Sequence, residues 1–598
     1  MPPTWGMMHL PRYFLSWRHK KFFVESAILK QIHKDCVESF SVGGLLVKKL
    51  SKRQFNSFVN NPVMEDYALR YAPKSFRRWS EFAVASSALG GIAYLADFAI
   101  GGSITLSYGF SNALPAILVV AAIIFLTGIP IAYYAARYNI DMDLLTRGAG
   151  FGYYGSTLTS LIYASFTIIY FSLEGSVMSQ ALTVYFGIPL ALSYVVASVS
   201  IIPLVIYGMT FLSKLQVWTQ PLWLALLVLP LIVIATKQPQ IFTHWTHFLG
   251  SHGQGTFNAL FFGAAAGVTL SLIAQIGEQV DYLRFMPDLT EHNKRAWWRA
   301  VLLAGPGWVI LGAAKQIGGS VLASFASPLV GPVKADQPIQ MYLHALHLWI
   351  PSVAMALTIG TFFVLISQVK INVTNAYSGS LSWSNFFSRI FHAHPGRVVW
   401  LILNVGIALT LMELGVFNFL SAVLGFYSNV AVAWIGALVA DLVINKPILK
   451  LSPSYIEFRR GHLYHFNPVG FGAMIIASIV SITAYFGLFG ATLAAFSSFL
   501  SLILAFVLSP MIAIITRGRY YIARTSPEIV QLSGELNCKV CDFSFETRDM
   551  MHCPHHQGTI CSLCCSLEAN CHDLCKAPGL QIETQLGENT VMEREEDI

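Results

Sequence analysis

The residues with the clearest chemical potential form a cysteine- and histidine-rich cluster near the end of the chain. The sequence there reads C-x2-C-x11-C-x-H-x5-C-x2-C-x6-C-x3-C. Each C-x2-C pair offers two thiolates to one tetrahedral ion, so the cluster predicts structural zinc, with enough ligands for two ions. Iron–sulfur and metal-free redox thiols are the alternatives, and spacing leaves open which ligands share an ion, in a cross-brace or a double-ribbon arrangement. The predicted ligands are Cys538, Cys541, Cys553, His555, Cys561, Cys564, Cys571 and Cys575.

A second stretch, SQVKINVTNAYSGSLSWSN, places a lysine in a strongly apolar region. Lys370 lies between Gln368 and Asn372, directly after the run AMALTIGTFFVLI. An ammonium in hydrocarbon is costly, so it marks either a functional site or a mistaken span. The alternative without a function is that Lys370 lies at a helix end and extends to the membrane surface.

The elements that must position these residues are membrane-spanning helices. Of the 598 residues, 55% are hydrophobic and 12% are charged, whereas soluble domains carry about 25% charged residues. Apolar runs of about 20 residues recur, each long enough to cross a bilayer, so a soluble protein is excluded. Twelve spans are predicted, near residues 81–104, 112–136, 155–180, 189–210, 216–236, 257–279, 300–325, 350–377, 397–413, 416–443, 469–489 and 493–516.

Loop charges predict the orientation of these spans. Lys and Arg residues concentrate in alternate loops, whereas SYGFSN, YFGIP and AYFGLFGAT carry none. The positive-inside rule then places both termini in the cytoplasm, in a multi-pass protein of the cell (inner) membrane, and the net charge of +7 reflects topology rather than nucleic-acid binding. We divide the chain into a basic cytoplasmic arm (1–78), a twelve-helix domain (79–516) and a cytoplasmic tail (517–598) that holds the zinc module at 538–575.

Spans 1 and 6 contain glycine-rich interruptions at corresponding places. They read SSALGGIAYLADFAIGGS and FFGAAAGVTLSLIAQIGEQ, and they are five spans apart. Such a pair is typical of an inverted-repeat transporter with its binding site at the membrane midplane. The alternative is that Gly and Ala only allow close helix packing.

Four segments, correctly spaced over roughly residues 79–516, resemble the nucleobase–cation symporter family of purine/cytosine permease-like carriers. VDYLRFMPD, with Asp281 and Arg284, is similar to the family's turn after span 6, and LLTRGAGFGYYGS to its Arg–Phe–Gly loop. QVKINVTNAYSGSLSWSN resembles its span 8, and AWIGALVADLVINKP the end of its span 10. Each motif alone is weak, but the four together are specific.

The resemblance implies an all-α membrane protein with twelve transmembrane helices, a leucine-transporter-like five-plus-five inverted repeat and broken helices 1 and 6. It implies a secondary transporter, or permease, for a nucleobase-like or related small nitrogenous solute that works by alternating access. A flat ring stacks on aromatic side chains, while Gln and Asn read its donor and acceptor edges. The implied substrate-binding residues are Tyr170, Phe171, Glu174, Gly267, Gln275, Gln368, Asn372 and Asn375, and the implied inner-gate residues are Asp281 and Arg284.

Glu174 departs from the family's pattern, which has a substrate-facing glutamine in span 3. A carboxylate at this position can accept hydrogen bonds from ring N–H groups, and it can also take a proton. The alternative is a structural ion pair with Lys315 or Lys370, because intramembrane charges usually pair.

Span 8 departs at the cation site. Lys370 and Ile371 stand where Na⁺-coupled relatives have hydroxyl residues that ligate the ion together with carbonyls of the broken first helix, here at Ala88 and Gly91. An ammonium only donates hydrogen bonds, so Lys370 cannot ligate Na⁺ but can satisfy the same carbonyls. We therefore expect Lys370 to replace the ion and transport to be independent of Na⁺.

The tail raises a second hypothesis. A carrier-like domain followed by a Cys/His module resembles the input region of transporter-type bacterial sensor proteins, in which a kinase follows. The alternative function is therefore a membrane sensor that binds such a solute and signals through its zinc module to a partner kinase. The sequence shows no catalytic constellation, so we do not expect an enzyme.

Overall fold

The computed structural model describes residues 52–60, 66, 68–253, 255–525 and 534–576. Most of the predicted arm and the acidic C-terminal stretch lie outside the described residues. Within them, nine helices are long and apolar enough to cross a membrane. Shorter or broken helices occupy the other predicted spans at 81–108, 190–206 and 397–413. The chain is therefore a multi-pass, mostly helical membrane protein whose spans follow the predicted order.

The helices of the twelve spans alternate in direction and are joined by short loops and short helices. The bounds of the spans are Glu81–Gly90 with Ala96–Tyr108 (span 1), Phe110–Tyr138 (span 2), Gly155–Phe186 (span 3), Leu190–Ile206 (span 4), Gly208–Lys237 (span 5), Ala259–Leu270 with Ile276–Leu283 (span 6), Trp308–Val330 (span 7), Val353–Phe391 (span 8), Arg397–Glu413 (span 9), Leu420–Ala440 (span 10), Pro468–Tyr485 (span 11) and Ser497–Thr516 (span 12). The connecting helices include Met142–Thr146, Ile241–Thr246, Lys294–Ala304, Pro332–Ala335, Pro338–His347 and Ala491–Ala495.

Burial separates the central spans from those that face lipid. In span 3, 83% of the most apolar window is buried inside the protein, whereas in span 12 the value is 22%. Spans 3 and 8 pack along each other at the centre. Large apolar side chains such as Trp218 and Ile310 are exposed on the perimeter, as expected where the solvent is hydrocarbon.

Span 8 is longer than predicted, because its helix continues through the polar stretch after residue 377. It begins after Ser352, whose hydroxyl accepts a hydrogen bond from the backbone N–H of Met355, and it ends at His392, which has a left-handed φ of 53°. The helix has 39 residues, and Lys370 lies in its interior with only 1% of its surface exposed. The helix-end interpretation of Lys370 is therefore wrong.

The tail folds into two small antiparallel hairpins and a short helix. Strand β1 (Glu535–Asn537) pairs with β2 (Ser544–Glu546), and β3 (Met550–Cys553) pairs with β4 (Gly558–Cys561). The helix Ser562–Ser566 follows β4 directly. Besides the cysteines, the core contains only a few apolar side chains, so it is too small to stabilise the module alone.

Candidate functional site

Span 1 is interrupted at its two adjacent glycines. A 3-10 turn over Gly91–Ala93 follows the first half-helix, Tyr94 is extended with ψ 141°, and the second half-helix begins at Ala96. A Cβ on Gly90 would come within 2.6 Å of Gln216, so the close approach of span 5 requires glycine there. Such a break leaves carbonyls of the first half and N–H groups of the second half without helical partners.

Lys315 of span 7 satisfies the carbonyls at this break. Its Nζ donates to the carbonyl oxygens of Ile92 at 2.7 Å and Tyr94 at 2.8 Å. The same ammonium lies 3.0 Å from Asp97 Oδ2 and 3.6 Å from the centre of the Tyr94 ring. With 2% of Lys315 exposed, a fixed cation is buried where span 1 is broken. The sequence showed Lys315 in mid-span but did not connect it to the break.

Glu174 of span 3 satisfies the N–H groups on the other side of the break. Its two carboxylate oxygens accept hydrogen bonds from Leu95 N at 3.1 Å and Ala96 N at 3.0 Å. A carboxylate at a helix N-terminus also interacts favourably with the helix dipole. The structure therefore corrects the suggested direct ion pair of Glu174 with Lys315 or Lys370, because the carboxylate binds backbone instead.

The expectation for Lys370 also requires correction. Its Nζ donates to the Gln216 carbonyl and to Thr219 Oγ1, both at 2.8 Å, on span 5. It does not contact the first-helix carbonyls. In a helix, residues two apart lie about 200° apart around the axis, so Lys370 faces away from Gln368 and Asn372.

The two backbone positions predicted for a cation meet neutral groups instead. In the amide orientation that satisfies Gln279, its side-chain nitrogen donates to the Ala88 carbonyl at 3.3 Å. A Cβ on Gly91 would lie 3.3 Å from Thr374 Oγ1, which in turn is 3.0 Å from the Tyr282 hydroxyl. Gln279, Thr374 and Tyr282 were not identified from the sequence as part of this region.

Span 6 is interrupted at Ser271–Gln275, a 3-10 turn between its half-helices. The Tyr170 hydroxyl of span 3 lies 2.9 Å from Ser271 Oγ, which places this predicted aromatic beside the break. Gln275 Nε2 donates to Glu278 Oε2 at 2.7 Å. Tyr170 and Gln275 are thus brought to one place, at the level of the interruption.

The predicted amides of span 8 face the same interior and have unused hydrogen-bonding capacity. Asn375 Nδ2 donates to Asn372 Oδ1 at 3.3 Å. The Gln368 amide nitrogen interacts with the Glu174 carboxylate, whereas its amide oxygen has no hydrogen bond among the described residues. The same holds for Asn372 Nδ2 and Asn375 Oδ1. Buried polar atoms are normally paired, so such a group marks a place where a polar ligand binds.

Two predicted binding residues lie elsewhere. Phe171 packs in a separate apolar cluster with Tyr377 and Leu401, whereas Tyr170 belongs to the central one. Gly267 precedes the span 6 break, and a Cβ there would meet Ser498 of span 12 at 3.5 Å. The structure does not bring either residue to the interior amides.

The predicted gate residues lie at the end of span 6, on the side of the membrane domain that carries the cysteine-rich module. Asp281 Oδ2 accepts a hydrogen bond from the Tyr163 hydroxyl at 3.0 Å. Arg284 donates to the Tyr377 hydroxyl at 2.8 Å and lies 3.5 Å from Asp141. Asp281 and Arg284 are at most 1% exposed, so the interior is closed on this side.

Four of the predicted metal ligands meet in the tail. Two pairs of predicted ligands come together here, the first (Cys538 and Cys541) and the third (Cys561 and Cys564). Their four sulfur atoms lie within 4.8 Å of one another. Backbone N–H groups point at two of the sulfurs: Cys561 N is 3.3 Å from Cys538 Sγ, and Cys564 N is 3.4 Å from Cys561 Sγ. Four buried sulfurs with such N–H donors fit a tetrahedral Zn²⁺ site.

The other four predicted ligands surround a separate cavity of about 250 Å³. Cys553, His555, Cys571 and Cys575 all line it, together with Cys565. Among the described residues, the first and third pairs meet as a ligand cluster, whereas the second and fourth pairs only line this cavity together. The neighbouring group of His555, His556 and Glu568 could also hold an ion.

Arginines attach the module to the membrane domain. Arg459 and Arg460, in the loop before span 11, donate to the carbonyls of Met550 at 2.8 Å and Cys565 at 2.9 Å. Arg53 of the arm donates to the Cys564 carbonyl at 3.1 Å.

Burial alone would raise the pKa of Glu457, but the neighbouring Arg459 and a histidine lower it well below its usual range.

No protein-family model and no curated protein match the chain. Among solved structures, Mhp1, a nucleobase-cation-symport-1 family transporter in a closed conformation with bromovinylhydantoin bound, covers 76% of this chain and 99% of its own, with a TM-score of 0.56 at 17% identity. Inward-facing Mhp1 covers 80% of this chain and 100% of its own, with a TM-score of 0.51 at 16% identity. This likeness confirms the predicted leucine-transporter-like fold.

Proposed function

We propose that this protein is a secondary transporter of a nucleobase-like or related small nitrogenous solute, which it moves by alternating access across the cell membrane. The observation that carries the proposal is a set of amide atoms on span 8 that have no hydrogen-bond partner among the described residues: the Gln368 and Asn375 oxygens and the Asn372 nitrogen. They lie in the buried interior among two broken helices and span 3. In an inverted-repeat transporter this is the place where the substrate binds.

The chemistry of the interior favours a small polar ring over an ion or a lipid. Gln368 and Asn375 each offer an acceptor, and Asn372 offers a donor. Tyr170 supplies an aromatic face beside the break in span 6. The alternating N–H and C=O edge of a nucleobase or hydantoin-like ring complements such a set.

We further propose that transport does not require Na⁺. The expectation was built on Lys370, but Lys315 supports it better, because its ammonium already binds two carbonyls at the span 1 break. The Ala88 carbonyl also accepts a hydrogen bond from the Gln279 amide, so it is already occupied by a protein donor.

Counterflow in proteoliposomes tests the transport proposal. Vesicles loaded with unlabelled uracil, cytosine, hypoxanthine or allantoin are diluted into the labelled compound, and exchange is followed with choline as the external cation. We expect exchange of at least one compound and its loss in Gln368→Ala. Matched controls are Ser498→Ala and Phe171→Leu, which lie away from the amides and keep exchange. Absence of exchange for every ring compound would refute the proposal.

We also propose that the tail binds two zinc ions in a cross-brace. Cys538, Cys541, Cys561 and Cys564 would hold one ion. Cys553, Cys571 and Cys575 with His555 would hold the other. The ions would supply folding free energy that the small core lacks. Metal analysis of the full-length protein should give two equivalents, falling to one in Cys538→Ser, whereas Ser544→Ala, in β2, keeps both. Metal-free protein with an intact module would contradict this.

The sensor remains a second candidate, because the module is attached to the membrane domain through Arg459 and Arg460. A solute-driven movement of the loop before span 11 would reach the zinc module directly through these contacts. Binding of a labelled nucleobase without counterflow would favour the sensor over the transporter. Exchange at rates expected for a carrier would favour transport.

A further inference from the structure

Glu278 of span 6 is a buried carboxylate that the proposed function does not use. It lies one turn after the span 6 break and has no exposed surface. Its Oε2 accepts a hydrogen bond from Gln275 Nε2 at 2.7 Å, whereas its Oε1 has no hydrogen-bond partner among the described residues. Its surroundings differ from those of the other acids in the spans.

Most other carboxylates of the membrane domain have cationic, backbone or polar partners, although Asp336, between spans 7 and 8, also has an oxygen without a partner among the described residues. Asp97 lies 3.0 Å from Lys315, and Asp441 lies 3.4 Å from Lys446. Glu174 accepts two backbone N–H groups. The remaining pairs are Asp141 with Arg284 at 3.5 Å, Asp143 with Ser382 at 3.0 Å and Asn385 at 3.4 Å, and Asp281 with the Tyr163 hydroxyl at 3.0 Å.

The titratable groups that interact electrostatically with Glu278 are acids and phenols. They are Glu174 and Tyr163 of span 3, Tyr94 of span 1, and Asp281 and Tyr282 of span 6 itself. No lysine or arginine is among them. On span 8, which also packs against this half-helix, Lys370 donates to span 5, and Arg389 donates to the Tyr153 carbonyl and Ser156 of the segment leading into span 3.

An ionised carboxylate in such a place is expensive. It is removed from water and lies near two further carboxylates, and only one neutral donor, Gln275, stabilises its charge among the described residues. Binding one proton converts the carboxylate into a neutral acid and adds an O–H donor. A buried carboxyl whose charged form is this weakly stabilised exchanges a proton whenever the protein opens it to water.

We propose that Glu278 is the proton-binding group that couples transport to a proton gradient. This rests on the proposed transport function. Glu278 takes one proton from the side to which the interior is open, remains a neutral acid while the interior is closed, and releases the proton to the other side. The reaction is the reversible protonation of one carboxylate, so no other reactant is needed.

Gln275 connects this proton to the substrate. Its amide nitrogen is the donor to Glu278, and Gln275 is the last residue of the span 6 turn, whose first residue, Ser271, contacts the Tyr170 hydroxyl. A substrate that forms hydrogen bonds with Gln275 changes the donor available to Glu278. Occupation of the site therefore alters the proton affinity of Glu278, which is the thermodynamic requirement for coupling.

Infrared spectroscopy of the full-length protein in lipid nanodiscs, without any substrate, tests this directly. At neutral pH we expect a carboxylic acid C=O stretch that shifts on deuteration and is lost in Glu278→Gln. Glu278→Asp should retain such a band at an altered frequency, which shows that the loss is not caused by misfolding. Glu174→Gln is the comparison variant, because the Glu174 carboxylate accepts two backbone N–H groups at the span 1 break, and the proposal requires this variant to keep the band.

An unchanged spectrum in Glu278→Gln, or loss of the band in Glu174→Gln instead, would overturn the assignment. Absence of any protonated carboxyl in the wild type would also overturn it and would indicate an ionised Glu278 that accepts hydrogen bonds from the substrate. Because the measurement uses no solute, failure of the counterflow experiment leaves its result interpretable, and the two proposals fail separately.

Discussion

The two broken helices have the same topological role but are filled by different chemistry. At the span 1 break, the Lys315 ammonium binds the free carbonyls and the Glu174 carboxylate binds the free N–H groups. At the span 6 break, Ser271 contacts the Tyr170 hydroxyl, and Glu278 accepts one hydrogen bond, from the Gln275 amide. One break is held by two fixed charges of opposite sign, and the other holds one acid without a cation.

This difference shows how a symmetric architecture can divide its tasks. Lys315 is paired with Asp97 and with backbone carbonyls, and Glu174 with backbone N–H groups, so these groups are expensive to move and we expect the span 1 break to be rigid. A carboxyl with one neutral donor changes its charge at low energetic cost, so the span 6 break is the place for an exchangeable proton. The following substitutions break or sharpen this contrast.

The largest effect is expected for Lys315→Met. Removing the ammonium leaves Asp97 buried without its cation and two carbonyls without donors, which destabilises by about 3–5 kcal/mol. Lys370→Met is the matched control, because its ammonium contacts only the neutral groups Gln216 and Thr219, and about 1–2 kcal/mol is expected. Unfolding in detergent, followed by circular dichroism against denaturant, measures both.

The double variant Lys315→Met/Asp97→Asn sharpens the same point. With both charges removed, no uncompensated ion remains, so most of the lost stability should return. If Lys315→Met and Lys370→Met were equally mild, or if the double variant were less stable than Lys315→Met, the span 1 break would not depend on a fixed ion pair.

A smaller loss of stability is expected for Asp66→Asn. Asp66 is a paired carboxylate outside the membrane, in contrast to Glu278. Asp66 lies 3.2 Å from His394 and accepts a hydrogen bond from Arg397 N at 2.8 Å. Burial alone would raise the pKa of Asp66, but His394 and Arg397 lower it from 3.8 to about 2. Its charge therefore stabilises the fold above about pH 4, and this contribution is lost as the pH falls towards 2.

Asp66→Asn should accordingly reduce the free energy of unfolding by about 2 kcal/mol at pH 7, since one pKa unit corresponds to about 1.4 kcal/mol. The difference from wild type should shrink between pH 4 and pH 2. Thermal unfolding at several pH values measures it. A difference that is constant with pH would show that packing, rather than charge, explains the loss.

The smallest effect is expected for Glu174→Gln. Its amide oxygen can still accept a hydrogen bond from Leu95 or Ala96, and only the interaction of the charge with the helix dipole is lost, about 1 kcal/mol. Glu174→Ala should lose more because no acceptor remains. Equal losses in both variants would mean that Glu174 does not act as a cap. The denaturant titration used for Lys315 measures them.

The sequence predicted the spans and the two breaks, because hydropathy and glycine placement are local signals. It failed for Lys370, although its spacing of two from Gln368 and Asn372 indicates the opposite helix face. The role of Lys315 depends on how span 7 packs against span 1, which no local pattern reports. Spacing likewise left open which cysteines share a site, because Cys538 and Cys541 meet Cys561 and Cys564 only when the two hairpins fold.

The most direct test of the central claim compares two driving forces in proteoliposomes that contain the purified protein. Labelled solute, identified by counterflow, is offered under an imposed proton gradient in choline buffer, and separately under a Na⁺ gradient at equal pH. A proton gradient should drive accumulation that is lost in Glu278→Gln, and a Na⁺ gradient alone should not. Accumulation driven by Na⁺ and indifferent to pH would contradict both the fixed cation at span 1 and the exchangeable proton at span 6.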